Sequence, residues 1–119
     1  MNWKQVKEMH DNGMHIGSHT CDHIDCAKTD KNELVNQLTL SKKVIEKELN
    51  QGFTTLAYPF GGKENFNEIA KKEAINAGYN CILSAYGGIN DSVEKYDIKR
   101  VGIDWTYSEL AFQARLYGW

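Results

Sequence analysis

Apolar residues recur at Trp3, Val6 and Met9 and then stop at Gly13, the spacing of one helical face closed by a left-handed glycine. Behind that glycine the period changes. Met14 and Ile16 alternate with His15 and Gly17, which predicts a short strand running up to His19. The longest periodic run follows, with Leu34, Leu38, Ile45 and Leu49 on one face. Asp30 with Glu33 three residues on predicts a capping box at its start, and Asn50-Gln51-Gly52 ends it. Residues 53–58, rich in threonine and aromatics, form a compact strand candidate that stops at Pro59, the only proline, and Gly61-Gly62 forces a loop. Phe66, Ile69, Ala70, Ala74 and Ala77 return to helical spacing as far as Gly78. Residues 79–84 predict the next strand, 85–95 a loop, 98–103 another strand, and Thr106 with Glu109 a capping box for a closing helix to about Tyr117.

Helices and strands alternate in this order in units of roughly 25 to 30 residues, the signature of parallel βα units, so the fold class is α/β with a parallel sheet or barrel. In such folds chemistry gathers at the C-terminal ends of strands, and three marked spots fall there: 19–23, 58–61 and 84–88. With 119 residues, 41% of them hydrophobic, the chain is one domain with a real core. Fourteen Lys plus Arg against 16 Asp plus Glu leave no basic field, which excludes nucleic acid as a partner. No apolar run is long enough to span a bilayer, and residues 1–8 lack the apolar centre of a secretion signal, so the chain as written is expected to stay in the cytoplasm. Three cysteines, Cys21, Cys26 and Cys81, argue against a fully paired disulfide framework.

Candidate chemistry concentrates in one place, because His15, His19 and His23 fall within nine positions at a strand's end. Neutral imidazole is the commonest protein ligand for zinc and similar ions. With His19 at the end of the strand, a loop or helical turn over 20–25 returns His23 toward the same ion, and Thr20 or Asp22 fixes that turn by side-chain to backbone hydrogen bonds. Two other readings stand beside this one: surface or capping histidines, and a structural zinc site that adds Cys21 and Cys26 to His19 and His23. His15 alternates with Met14 and Ile16, and His10 lies near the C-terminal end of the first helix, so neither is a ligand.

His19-Thr20-Cys21-Asp22-His23 resembles the His-[Ser/Thr]-x-x-x-His metal motif of the polysaccharide deacetylase family, the NodB homology domain of carbohydrate esterase family 4. Leu56-Ala57-Tyr58-Pro59-Phe60-Gly61 resembles that family's next motif, with alanine in place of its usual arginine. Gly78-Tyr79, Gly88-Ile89-Asn90 and Ile98-Lys99-Arg100-Val101 are similar to its C-terminal half. The resemblance implies a partial, distorted (β/α) barrel over residues 1–119, a single domain truncated at its N-terminus and lacking its first strands. It implies a hydrolase of carbon-nitrogen non-peptide bonds that removes acetyl groups from N-acetylated, or in some members O-acetylated, polysaccharide. By the same resemblance, one divalent metal ion, zinc before other transition metals, would be held by His19 and His23. The backbone N–H of Phe60 would hold the oxyanion, Tyr58, Pro59 and Phe60 would line the sugar groove, and Arg100 would supply the positive charge lost at Ala57.

The family's paired aspartates, which supply its third ligand and general base, have no counterpart, since no Asp-Asp dipeptide occurs. No histidine follows His23, so the family's late general-acid histidine is absent too. The resemblance therefore implies an upstream segment that completes the barrel, and an alternative in which this chain is a non-catalytic metal- or carbohydrate-binding remnant. A sheet lacking its first strands is expected to present an open edge to other chains.

Overall fold

Leu34 and Leu38, which share a face of the longest periodic run, are 1% and 0% exposed, and they meet Leu56, Tyr58, Ala70, Ala74, Tyr79 and Ile82 in one core. The structure is a computed structural model that describes residues 1–92 and 94–117. Around the core the chain runs α1 (Trp3–Asp11), α2 (Lys31–Leu49), β1 (Thr55–Ala57), α3 (Glu68–Asn76), β2 (Cys81–Ser84), β3 (Ile98–Lys99) and α4 (Glu109–Leu116). The strands form a parallel sheet in the order β1-β2-β3, with Leu56 opposite Ile82 and Leu83 opposite Ile98. This is the α/β architecture that the alternation predicts. Among the described residues the sheet is open, and a closed barrel is not formed.

The helices stop and start where local chemistry dictates, though not always by the expected residue. Gly13 and Gly78 take φ of 89° and 86°, conformations cheap only for glycine, and they end α1 and α3 as predicted. Asp30 caps α2 by accepting from the Asn32 N–H, but the reciprocal half of the box is missing, because Glu33 instead accepts from the Gln37 side chain at 2.8 Å. A full capping box does form at α1, between Asn2 and Gln5. Thr106 does not cap α4. Asp104 holds it through its N–H and its hydroxyl, and Ser108 caps the helix by accepting from the Ala111 N–H.

All four predicted strands are shorter than the pattern implies: 53–58 is reduced to Thr55–Ala57 and 79–84 to Cys81–Ser84, and the other two shrink further. Residues 13–19 contribute only a parallel bridge, Ser18 to Leu56, with the Ser18 N–H donating to the Thr55 carbonyl at 2.7 Å and the Ala57 N–H to the Ser18 carbonyl at 2.9 Å. Close approach to β1 requires glycine at position 17, where a Cβ would come within 2.4 Å of Thr55 Oγ1, and beyond Ser18 the left-handed Thr20, at φ 64°, turns the chain out of the ladder. The strand expected over 98–103 ends at Lys99, because β2 stops at Ser84, whose carbonyl already accepts both the N–H and the Nε–H of Arg100. No described helix is long and apolar enough to cross a membrane.

The core assignment predicts that Leu38→Ala lowers unfolding free energy by about 2–5 kcal/mol, the usual loss for a buried leucine. Urea denaturation followed by circular dichroism measures it, and an unchanged midpoint would remove Leu38 from the core.

Candidate metal centre

Ser18 is the last residue of its segment to pair with the sheet, so His19 emerges at the C-terminal rim of β1. Three buried hydroxyls fix it there: those of Ser18, Ser41 and Tyr79 lie 2.9–3.0 Å from one another. The network is closed by the carbonyls of Gln37 and Leu38, which accept from Ser41 and Tyr79. Every oxygen of the cluster is satisfied, which is what makes a buried polar network stiff rather than costly. Burial pushes the Tyr79 phenol above its ordinary pKa, so it remains a donor at neutral pH.

The loop after His19 is held from beneath by one carboxamide. Gln37 is 3% exposed, its Oε1 accepts from the N–H groups of both Cys21 and Asp22 at 3.0 Å, and its Nε2 donates to the Asp22 carboxylate. Thr20 contributes as expected, its hydroxyl accepting from the Ile24 N–H at 3.3 Å. With those contacts in place the chain adopts left-handed backbone at Thr20 (φ 64°) and His23 (φ 55°), and a third such residue, Phe60 (φ 61°), faces them. Each costs on the order of 1–3 kcal/mol, and residues forced into such conformations cluster at functional sites.

That backbone brings the two predicted ligands together. The rings of His19 and His23 are 4.9 Å apart at 68°, both on solvent-exposed residues, and His23 lies 4.7 Å from the ring of Phe60 at 77°. His19 Nδ1 is 2.7 Å from the Ala57 carbonyl oxygen. A carbonyl only accepts, so the proton is on Nδ1 and the Nε2 lone pair is left free, the arrangement by which backbone oxygens orient metal-binding histidines. Phe60 occupies the centre of a γ-turn, with the Gly61 N–H donating to the Pro59 carbonyl at 2.6 Å. Phe60 is 61% exposed, and no acceptor among the described residues takes its N–H.

Other predicted site residues fall elsewhere. Tyr58 and Pro59 are buried, Tyr58 stacking on Phe66 at 4.5 Å with its phenol pushed up by burial, so they support the Phe60 turn and present no surface to a sugar. Strand alternation alone would set Tyr58 and Phe60 on one face; the left-handed backbone at Phe60, φ 61°, turns that residue outward instead. Arg100 is half-buried at the end of β3, its Nε–H on the Ser84 carbonyl at 3.0 Å, two strands across the sheet from Ala57. His15 engages Thr55 and the Phe53 ring.

The donor set fits a divalent cation in part. Two imidazoles converge, one of them with its tautomer fixed, but no group of three His, Cys, Asp or Glu side chains occurs among the described residues. Asp25 is occupied by Lys28, Asn65 and the Ala27 N–H, and the Lys28 contact, the largest influence, holds its carboxyl below the usual carboxylate value. The sulfur-containing alternative is not formed: Cys26 is buried among core residues, and burial pushes its thiol up to about 11, far from the thiolate a metal needs. Gln37 is the site residue that apolar periodicity passes over. Its signal in the sequence is a polar residue on the stripe that also carries Leu34, Leu38 and Ser41.

Known proteins resemble this chain in sequence and in fold. The sequence profile of the family described as polysaccharide deacetylase matches residues 1–82. YxkH of Bacillus subtilis strain 168, whose name describes a polysaccharide deacetylase, is 30% identical over 112 residues, 93% of this chain and 39% of that protein. Among solved structures, the Streptococcus pyogenes deacetylase PplD, in complex with acetate, matches with a TM-score of 0.82 and 25% identity over 97% of this chain and 50% of that one. The de-N-acetylase from Aggregatibacter actinomycetemcomitans matches in fold, with a TM-score of 0.76 and 21% identity over 95% of this chain and 52% of that one. The chain thus spans two fifths to one half of the length of these relatives.

Replacing Gln37 by leucine would leave the Cys21 and Asp22 amides without their acceptor, and the expected result is faster hydrogen exchange at those two amides with a stability loss of about 1–3 kcal/mol. Exchange at Cys21 and Asp22 as slow as in the unaltered chain would show that Gln37 does not hold the loop.

Proposed function

Because this chain belongs to the polysaccharide deacetylase family, we propose that it forms the metal-holding part of a hydrolase that removes acetyl groups from acetylated glycans. One observation carries this reading: His19, its Nδ1 on the Ala57 carbonyl, offers Nε2 beside His23 and Phe60 at the rim of a parallel sheet. His19 and His23 would hold one divalent cation, zinc by preference, since two imidazoles suit it. The cation supplies positive charge that polarises the acetyl carbonyl and acidifies water.

This chain's own residues then have distinct tasks. The Phe60 N–H, free of acceptors among the described residues and set by its γ-turn, donates to the carbonyl oxygen as negative charge develops there. The exposed Phe60 ring offers the acetyl methyl and the sugar's C–H face an apolar surface. Arg100, anchored on Ser84, places positive charge on the same rim. Hydrolysis breaks the amide C–N bond, the carbonyl carbon gains the water oxygen to give acetate, and the released nitrogen takes up a proton as the amine.

The groups that take and return those protons in the family's pattern, paired aspartates and a late histidine, have no counterpart in this chain. The reading therefore assigns the paired aspartates to an upstream segment that completes a single NodB-like domain, in keeping with relatives about twice as long. The lack of a three-donor group among the described residues supports a second reading, a metal- or carbohydrate-binding remnant without hydrolysis.

Isothermal titration of the chain with zinc is expected to show one site, weakened at least on the order of tenfold in His19→Ala. Acetate release from an N-acetylated oligosaccharide is expected once an upstream segment ending in Asp-Asp is supplied. Zinc affinity indifferent to His19 would contradict the hydrolase and the metal-binding remnant alike, and zinc binding without acetate release in any form would favour the remnant.

A further inference from the structure

The surface beyond the Phe60 turn dips into a cavity of about 410 Å³, between the start of α3 and the residues that precede β3. One side of it is aromatic. Phe66, already stacked on Tyr58, lies 6.2 Å from the Tyr86 ring at 23°, the Lys63 ammonium sits 5.0 Å over Tyr86, and Tyr96 adds a further wall. The polar end is Asp97. The Tyr86 hydroxyl donates to Asp97 Oδ2 at 2.6 Å, whereas Oδ1 is buried and has no hydrogen-bond partner among the described residues.

A buried carboxylate oxygen without a donor is unfavourable, and a donor arriving from outside recovers the loss. The charges around it select for a neutral visitor, because Lys63 and Lys71 balance Glu68 and Asp97. Aromatic faces that take C–H surface, an unfilled acceptor that takes a hydroxyl, and no net charge together match a pyranose ring. The cavity is also joined to the candidate metal centre. Lys63 follows Phe60 by three residues, and the Gly61 carbonyl accepts from the N–H of Ala85, the neighbour of Tyr86, at 2.8 Å.

We propose that this cavity is a second glycan subsite, where Tyr86 and Tyr96 pack against one sugar and Asp97 Oδ1 accepts a hydroxyl from it, while an acetylated sugar of the same glycan lies at Phe60. The proposal rests on the deacetylase reading for the identity of the ligand. It assigns to Tyr86 and Asp97 a role in chain-length preference, since a single sugar fills only one of the two places.

Nuclear magnetic resonance titration of the 119-residue chain, with zinc present, tests it using N-acetylglucosamine and its β-1,4-linked tetramer as probes. The tetramer is expected to move the amide resonances of Tyr86, Tyr96 and Asp97, and to bind Tyr86→Ala and Asp97→Asn on the order of tenfold more weakly than the unaltered chain. Asp97→Asn is nearly isosteric, so it decides the matter if Tyr86→Ala does not fold, and zinc affinity in each variant shows that the rim is intact. Tetramer shifts confined to residues 19–23 and 57–61, equal affinity in both variants, or no tetramer binding by a chain that does bind zinc would each overturn the subsite. Failure to bind zinc would instead count against the metal reading, with shifts at Tyr86 and Asp97 still deciding the cavity.

Discussion

Ala57 holds the neighbouring segment from both ends of its residue: its N–H donates to the Ser18 carbonyl at 2.9 Å, and its carbonyl accepts from His19 Nδ1 at 2.7 Å. The first bond belongs to the sheet and the second to the site, so the edge pairing of the fold and the orientation of a candidate ligand are one feature. Because β1 is parallel to β2 and its Leu56 is fully buried against the core, Ala57 has little freedom, and neither has the imidazole that leans on it. A strand end is a better mount for such a group than a loop, since the ladder fixes the position of its carbonyl.

Around that mount the structure stores strain and compensates it with buried hydrogen bonds. Thr20, His23 and Phe60 are three of the four non-glycine residues with positive φ among the described residues. The two in the histidine loop are flanked by the N–H groups that Gln37 binds, and the third by the Pro59 to Gly61 hydrogen bond. A β-branched residue such as Thr20 does not adopt φ 64° for any local reason, so the loop geometry is imposed from α2 and from the sheet. The buried Ser18, Ser41 and Tyr79 hydroxyls extend the same support, tying the segment to the helix and to the start of β2. Nothing comparable steadies α4, which buries no residue of its own.

Much of this was legible in the residues, for reasons that differ by element. The helical period of Leu34 and Leu38 identified the core face of α2, and Gly13 and Gly78 marked ends that only glycine makes cheaply. His19, His23 and the Pro59-Phe60 turn were legible as motifs and do converge. The alternation of Met14 and Ile16 misled on strand length, because it reports which way side chains point and not whether a neighbouring strand has free partners. Tyr58 was misplaced because its aromatic character suggested a sugar groove, whereas its ring stacks on Phe66 within the core. Gln37 escaped notice because what it does depends on a loop sixteen residues away, which no local pattern encodes.

The account turns on which nitrogen of His19 carries the proton, and nitrogen-15 resonance of its imidazole measures that directly. A proton on Nδ1 in the metal-free chain, with the Nε2 signal moving on addition of zinc while Nδ1 keeps its proton, is the result predicted by the Ala57 contact. A proton on Nε2, or zinc arriving at Nδ1, would contradict it, because the Ala57 carbonyl would then hold no ligand in place.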